Sequence, residues 1–107
     1  MIRHDDIIID RSNLTISVGD RSHQFQARAG RNVAFLGIAH LLLKGHVSDE
    51  DLFDFLYADD ADGGPIRGFN VMPTHYVNWA GAFKALGLCL HGEKHNSRTL
   101  RSLRRVS

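Results

Sequence analysis

The hydrophobic period of this chain changes early, and that change narrows the folds open to it. Leu14, Ile16 and Val18 alternate with Thr15 and Ser17, the two-residue repeat of a strand with one buried face. From Asn32 to Lys44 the apolar residues Ala34, Phe35, Ile38, Leu41 and Leu42 recur instead at three- and four-residue intervals, the repeat of a helix. Strands followed by helices, in separate runs, specify an α+β fold.

The strand region is expected over residues 7–27. Ile7-Ile8-Ile9 is β-branched and runs into the turn-forming Asp10-Arg11-Ser12-Asn13. Gly19-Asp20 supplies the next turn, and His23-Gln24-Phe25-Gln26 returns as a hairpin partner. A sheet with one apolar face needs a cover. The helix predicted over 32–44, stopped by Gly45, provides it. His40, inside that helix, is expected at the edge of the core.

The second helix, 48–57, carries the clearest local signal. Ser48 precedes Asp49-Glu50-Asp51, so its hydroxyl can cap the backbone N–H three residues on, with Asp51 placed to reciprocate. Val47 and Leu52 are spaced for a hydrophobic staple, and three carboxylates in the first turn complement the helix dipole. The following Asp59-Asp60-Ala61-Asp62-Gly63-Gly64-Pro65 is a loop. It lacks the glycine and glutamate positions of a calcium-binding EF-hand and is expected to be a solvated acidic segment.

A third helix is predicted over 70–86 from Val71, Thr74, Trp79, Phe83 and Leu86, with Gly87 as its stop. Pro73 places the main helical start, or a kink, near its own position. Leu88-Cys89-Leu90 then reads as a strand, His91 to Asn96 as a turn and Arg98 to Leu103 as the returning strand. Cys89 in this apolar strand is expected to be a buried, inert thiol.

Length and composition bound the function. A chain of 107 residues has room for one domain, 1–107. No stretch approaches the ~20 apolar residues of a membrane span. One cysteine and no signal-like start suit a soluble, cytoplasmic protein. Cys89, His91 and His95 lack a fourth metal ligand, so no metal or other cofactor is expected, and no pocket-forming polar constellation marks an enzyme.

The charge is polarised although its sum is only +1. Seven acidic residues and no basic one lie between Ser48 and Asp62, whereas Arg67, Lys84, Lys94, Arg98, Arg101, Arg104 and Arg105 face only Glu93 after Gly64. A basic C-terminal third on a nearly neutral chain is a directional electrostatic surface.

Asn13-Leu14-Thr15-Ile16-Ser17-Val18-Gly19, Gly45-His46-Val47-Ser48-Asp49-Glu50-Asp51-Leu52, Asp62-Gly63-Gly64-Pro65 with Asn70-Val71 and His75, and Leu86-Gly87-Leu88 occur in an order and at a spacing that resembles the winged helix-turn-helix domain of the OmpR/PhoB type. The resemblance extends from about Ile7 to Leu103. It implies N-terminal antiparallel strands, three helices and a C-terminal β-hairpin wing over 88–103, here without the receiver domain of response regulators. It further implies a bacterial or phage transcription regulator that binds duplex DNA, with the third helix in the major groove and the wing on phosphate or the minor groove. Thr74, His75, Asn78 and Lys84 on the helix, and Lys94, Arg98 and Arg101 on the wing, are then the DNA-contacting residues, with Arg104 and Arg105 extending the surface. Such a module gains affinity from pairing on tandem half-sites, which favours a homodimer. Three departures from the family pattern matter: Trp79-Ala80-Gly81-Ala82 stands where arginines are usual, the aromatic-glycine signature ending the wing is absent, and Pro73 interrupts what is usually a continuous helix. The alternative is a winged-helix protein-interaction module that has lost tight DNA binding. In that reading Tyr76 or Trp79 serves as an exposed anchor, or the acidic face of the second helix meets RNA polymerase or another basic regulatory partner.

Overall fold

The computed structural model describes residues 1–26 and 32–106. They form strands β1 Ile2–His4, β2 Ile7–Asp10, β3 Thr15–Val18 and β4 Arg21–Gln24, then helix α1 Val33–Lys44, the short strand β5 Val47–Ser48 and helix α2 Asp49–Tyr57. A 3-10 turn at Gly68–Val71 leads into helix α3 Met72–Ala85, and strands β6 Leu88–His95 and β7 Arg98–Arg105 end the chain. The architecture is α+β, with two antiparallel sheets ordered β1-β2-β3-β4 and β5-β7-β6.

The first sheet is a meander whose register matches the hydrophobic alternation. Ile9 pairs with Ile16 and Ile7 with Val18, so Ile9, Ile16 and Val18 turn together into the core. The sheet begins earlier than expected, because Ile2, Arg3 and His4 pair with Ile9, Ile8 and Ile7. All three residues of β1 are exposed, so they carry no alternation by which to recognise a strand. The expected end of the strand region, residue 27, lies outside the described residues; β4 itself stops at Gln24.

Helix α1 opens where Asn32 accepts a hydrogen bond from the Phe35 N–H (3.0 Å), and closes at Gly45, whose positive φ of 85° lets its N–H reach the Leu41 carbonyl. Phe35, Ile38 and Leu41 face inward, against Leu52 and Leu56 of α2 and Met72, Trp79 and Phe83 of α3 in one cluster. Gly37 lets the Trp79 side chain of α3 reach the backbone of α1. A Cβ there would lie 2.3 Å from Trp79 Cη2, so the indole occupies the space a side chain would need.

Residues Val47 and Ser48 serve twice. They form β5, pairing with Arg101 and Leu100 of β7, and Ser48 Oγ caps α2 by accepting from the Asp51 N–H at 3.1 Å. Asp51 does not return the capping bond; its carboxylate faces Arg98. The third helix is two elements, since the 3-10 turn precedes α3 and Pro73 falls in its first turn, where a missing N–H costs nothing. The terminal hairpin is longer than expected. Residues His91–His95 continue β6, and only Asn96-Ser97 remain as the turn, with Asn96 at φ 58°. Cys89 is exposed and not buried, because Leu88 takes the inward position and the alternation sends its neighbour outward.

Candidate nucleic-acid interface

Helix α3 divides its residues between core and solvent. Met72, Tyr76, Trp79, Ala82 and Phe83 are buried, a spacing of three and four that fastens one side to α1 and α2. The opposite side carries Pro73, Thr74, Val77, Asn78, Ala80, Gly81 and Lys84, all exposed. Thr74, Asn78 and Lys84 therefore share an open face. The middle of that face is apolar and small, with Val77 74% exposed.

His75 does not join them. It is half-buried, stacks on Trp79 with the rings 5.5 Å apart, and has Nε2 2.8 Å from the Tyr57 hydroxyl. Burial holds its pKa below the ordinary imidazole value, favouring the neutral ring. Its place is that of a packing residue between α2 and α3.

Two arginines expected on the wing surface are turned toward α2. Asp49, the first residue of that helix, is 8% exposed. Its carboxylate accepts from the Tyr76 hydroxyl at 2.6 Å and from Arg101 Nε at 3.1 Å and Nη2 at 3.4 Å. The Arg101 guanidinium also lies 4.9 Å from the centre of the Tyr76 ring. Burial, with the Asp49 carboxylate beside it, pushes the Tyr76 phenol far above its usual pKa, so it acts as a donor. This triad ties α2, α3 and β7 together. Arg101 is thus an internal tie, and Tyr76, at 7% exposure, is no exposed anchor. Trp79, at 3%, is likewise a core residue.

Arg98 remains half-exposed but lies 3.8 Å from both Glu50 and Asp51. At the far end of β7, Arg105 forms a two-pronged pair with Asp6, one contact being 2.6 Å, which holds the Asp6 carboxyl below its usual range. Three of the four arginines in β7 are therefore matched by carboxylates brought from β1–β2 and α2. Among the described residues, Lys84, Lys94 and Arg104 are exposed cations with no carboxylate partner. They define the uncompensated positive surface on α3 and the hairpin.

Sequence reasoning missed Asp49 and Asp6 because nothing local distinguishes them. Asp49, Glu50 and Asp51 all read as solvated first-turn acids, yet only Asp49 follows the cap into the crevice between α3 and β7. Ile66 and Phe69, exposed beside the start of α3, were also unmarked by any period. No group of three or more His, Cys, Asp or Glu side chains among the described residues is placed to hold a metal. Among the described residues no helix is long and apolar enough to cross a membrane. No family model matches the chain, and neither a curated protein nor a solved structure matches it.

Proposed function

We propose that the protein is a winged helix-turn-helix module of OmpR/PhoB type that binds duplex DNA, with α3 in the major groove and the β6–β7 hairpin as its wing. The observation that carries this reading is the two-sidedness of α3: one side is locked into the core, and the other stands free beside a projecting hairpin. A helix held rigidly by its back is what groove insertion requires. Asn78 is suited to an adenine edge, Thr74 to either base or phosphate, and Lys84 and Lys94 to phosphate. Arg104 replaces Arg101 in the contact set, because the Asp49 bond already uses the Arg101 guanidinium.

The experiment is a fluorescence-anisotropy titration against mixed-sequence duplex DNA at two salt concentrations. Each phosphate contact contributes a slope of about 0.9 in log affinity against log salt. Lys84→Ala with Lys94→Ala should flatten that slope by nearly two contacts. Arg98→Ala should change it less, its charge being already met by Glu50 and Asp51. Absence of salt-dependent binding in dilute salt would refute the DNA reading.

One observation favours the second reading, a protein-interaction module. Val77, Ile66 and Phe69 are exposed at and just before α3, 74%, 105% and 43% respectively. Apolar side chains at these positions read no phosphate and suit a protein surface. Failure of DNA binding with α3 intact would make that reading the stronger one.

A further inference from the structure

We propose that the groove between β4, α3 and β6 is a binding site for a small amphipathic anion, a carboxylate or sulfonate carrying an apolar tail. The groove has a volume of about 460 Å³, within the range of small-molecule sites. Its charged lining is Arg21 and Lys84, and among the described residues no carboxylate lines it. Phe83 and Leu88, both buried, and Ala80 form an apolar floor, and Val106 forms one wall.

The two cations are available. Neither Arg21 nor Lys84 has an ion pair or side-chain hydrogen bond among the described residues. Asp6, whose carbonyl accepts from Gly19 two residues before Arg21, has its carboxylate held by Arg105.

The arginine is also held in place. Gly87, at φ 67°, leaves its Cα side open. A Cβ there would lie 2.9 Å from Arg21 Cδ and 3.0 Å from Nε, so the side chain rests directly on the α3–β6 turn. The Val106 N–H donates to the Gly87 carbonyl at 2.8 Å, fixing the wall against the same turn. A preformed pocket with two cations above an apolar floor selects a ligand having both an anionic head and an apolar body. A phosphodiester backbone offers the charge without the body, so the floor argues for a small molecule. The inference does not depend on DNA binding, although an occupant would engage Lys84 and so compete with that contact.

Octanoate, 1-octanol and inorganic phosphate are the test ligands, titrated calorimetrically into the intact protein. Octanoate should bind at least roughly tenfold more tightly than either, since octanol lacks the charge-assisted bonds and phosphate lacks the tail. Arg21→Gln with Lys84→Gln should weaken octanoate by a similar factor and leave octanol unchanged. Both side chains are exposed, so the fold should survive the change. Cys89 gives a local readout: it lines the groove and is the chain's single thiol, so octanoate should slow its alkylation in proportion to occupancy. Equal binding of octanol or phosphate, indifference to the double substitution, or an unprotected Cys89 each overturns the proposal. Displacement of octanoate by duplex DNA in the wild type but not in Lys84→Gln would show competition at Lys84 and support it. Binding of DNA through Arg21 with no octanoate binding would assign the cations to phosphate backbone and overturn it.

Discussion

Gly37 and Gly81 are both helical, and alanine should shift stability in opposite directions at the two positions. In a helix interior the exchange of glycine for alanine is worth up to about 1 kcal/mol in backbone propensity. At Gly81 nothing lies within 4 Å of the added methyl, so the gain is kept. At Gly37 the same methyl would meet Trp79 Cη2 at 2.3 Å and Cζ3 at 2.8 Å. The indole is 3% exposed, stacked on His75 and edge-on to Tyr76, so moving it aside disturbs both ring contacts. Overpacking of this kind costs about 1–3 kcal/mol, and a contact this short belongs at the upper end. Gly37→Ala should therefore lose about 2 kcal/mol net, whereas Gly81→Ala gains about 1. At roughly 4 °C per kcal/mol for a domain of this size, the melting temperatures should separate by about 12 °C. Urea denaturation followed by circular dichroism gives both values directly. A second arm isolates the cause: in a Trp79→Leu background the penalty of Gly37→Ala should shrink toward zero, since the ring atoms that it strikes are gone. Stabilisation by Gly37→Ala, or a penalty unchanged by Trp79→Leu, would refute the packing argument. Gly81→Ala carries a functional reading as well. Its methyl stands on the open face of α3, so DNA affinity should change although the fold is strengthened.

Asp49→Asn should destabilise the protein by about 2 kcal/mol, because it weakens a charge-assisted bond to Arg101 and leaves that guanidinium poorly compensated; chemical denaturation measures it. Tyr76→Phe should cost about 1 kcal/mol, less than Asp49→Asn, since the Asp49–Arg101 pair remains. Burial depresses the pKa of both His75 and His40, the latter with help from Lys44. The unfolded chain thus binds protons more readily, so stability is full above about pH 6.5 and falls as pH drops through the folded values. Melting temperature should decline from pH 7.5 to pH 5.5, and His75→Gln should reduce the decline; an unaltered profile would assign the dependence elsewhere. Glu50→Gln with Asp51→Asn should release Arg98 and, if the hairpin lies on DNA, raise affinity and steepen its salt dependence by up to one contact.

Much of the fold is legible in the sequence because its signals are local. The alternation of Leu14, Ile16 and Val18 requires only the pleat, and the Ser48 cap requires only three following residues. The stops at Gly45 and Gly87 require only a backbone that accepts positive φ, which both residues have at 85° and 67°. The open face of α3 was legible only in part: Thr74, Asn78 and Lys84, expected on it from the resemblance, are exposed, whereas His75, expected beside them, is half-buried against Trp79.

The pairing of charges was not legible, because it joins residues far apart in the chain. Asp49 and Arg101 are separated by 52 positions, and Asp6 and Arg105 by 99. Ion pairs have no period, and a carboxylate finds its arginine only where packing delivers both to one place. Sequence alone thus determined the order and type of most elements, the Ser48 cap and the glycine stops after α1 and α3. Tertiary structure decided which arginines remain available to a partner, because β5 pairs with β7 and so carries the acidic start of α2 against the hairpin.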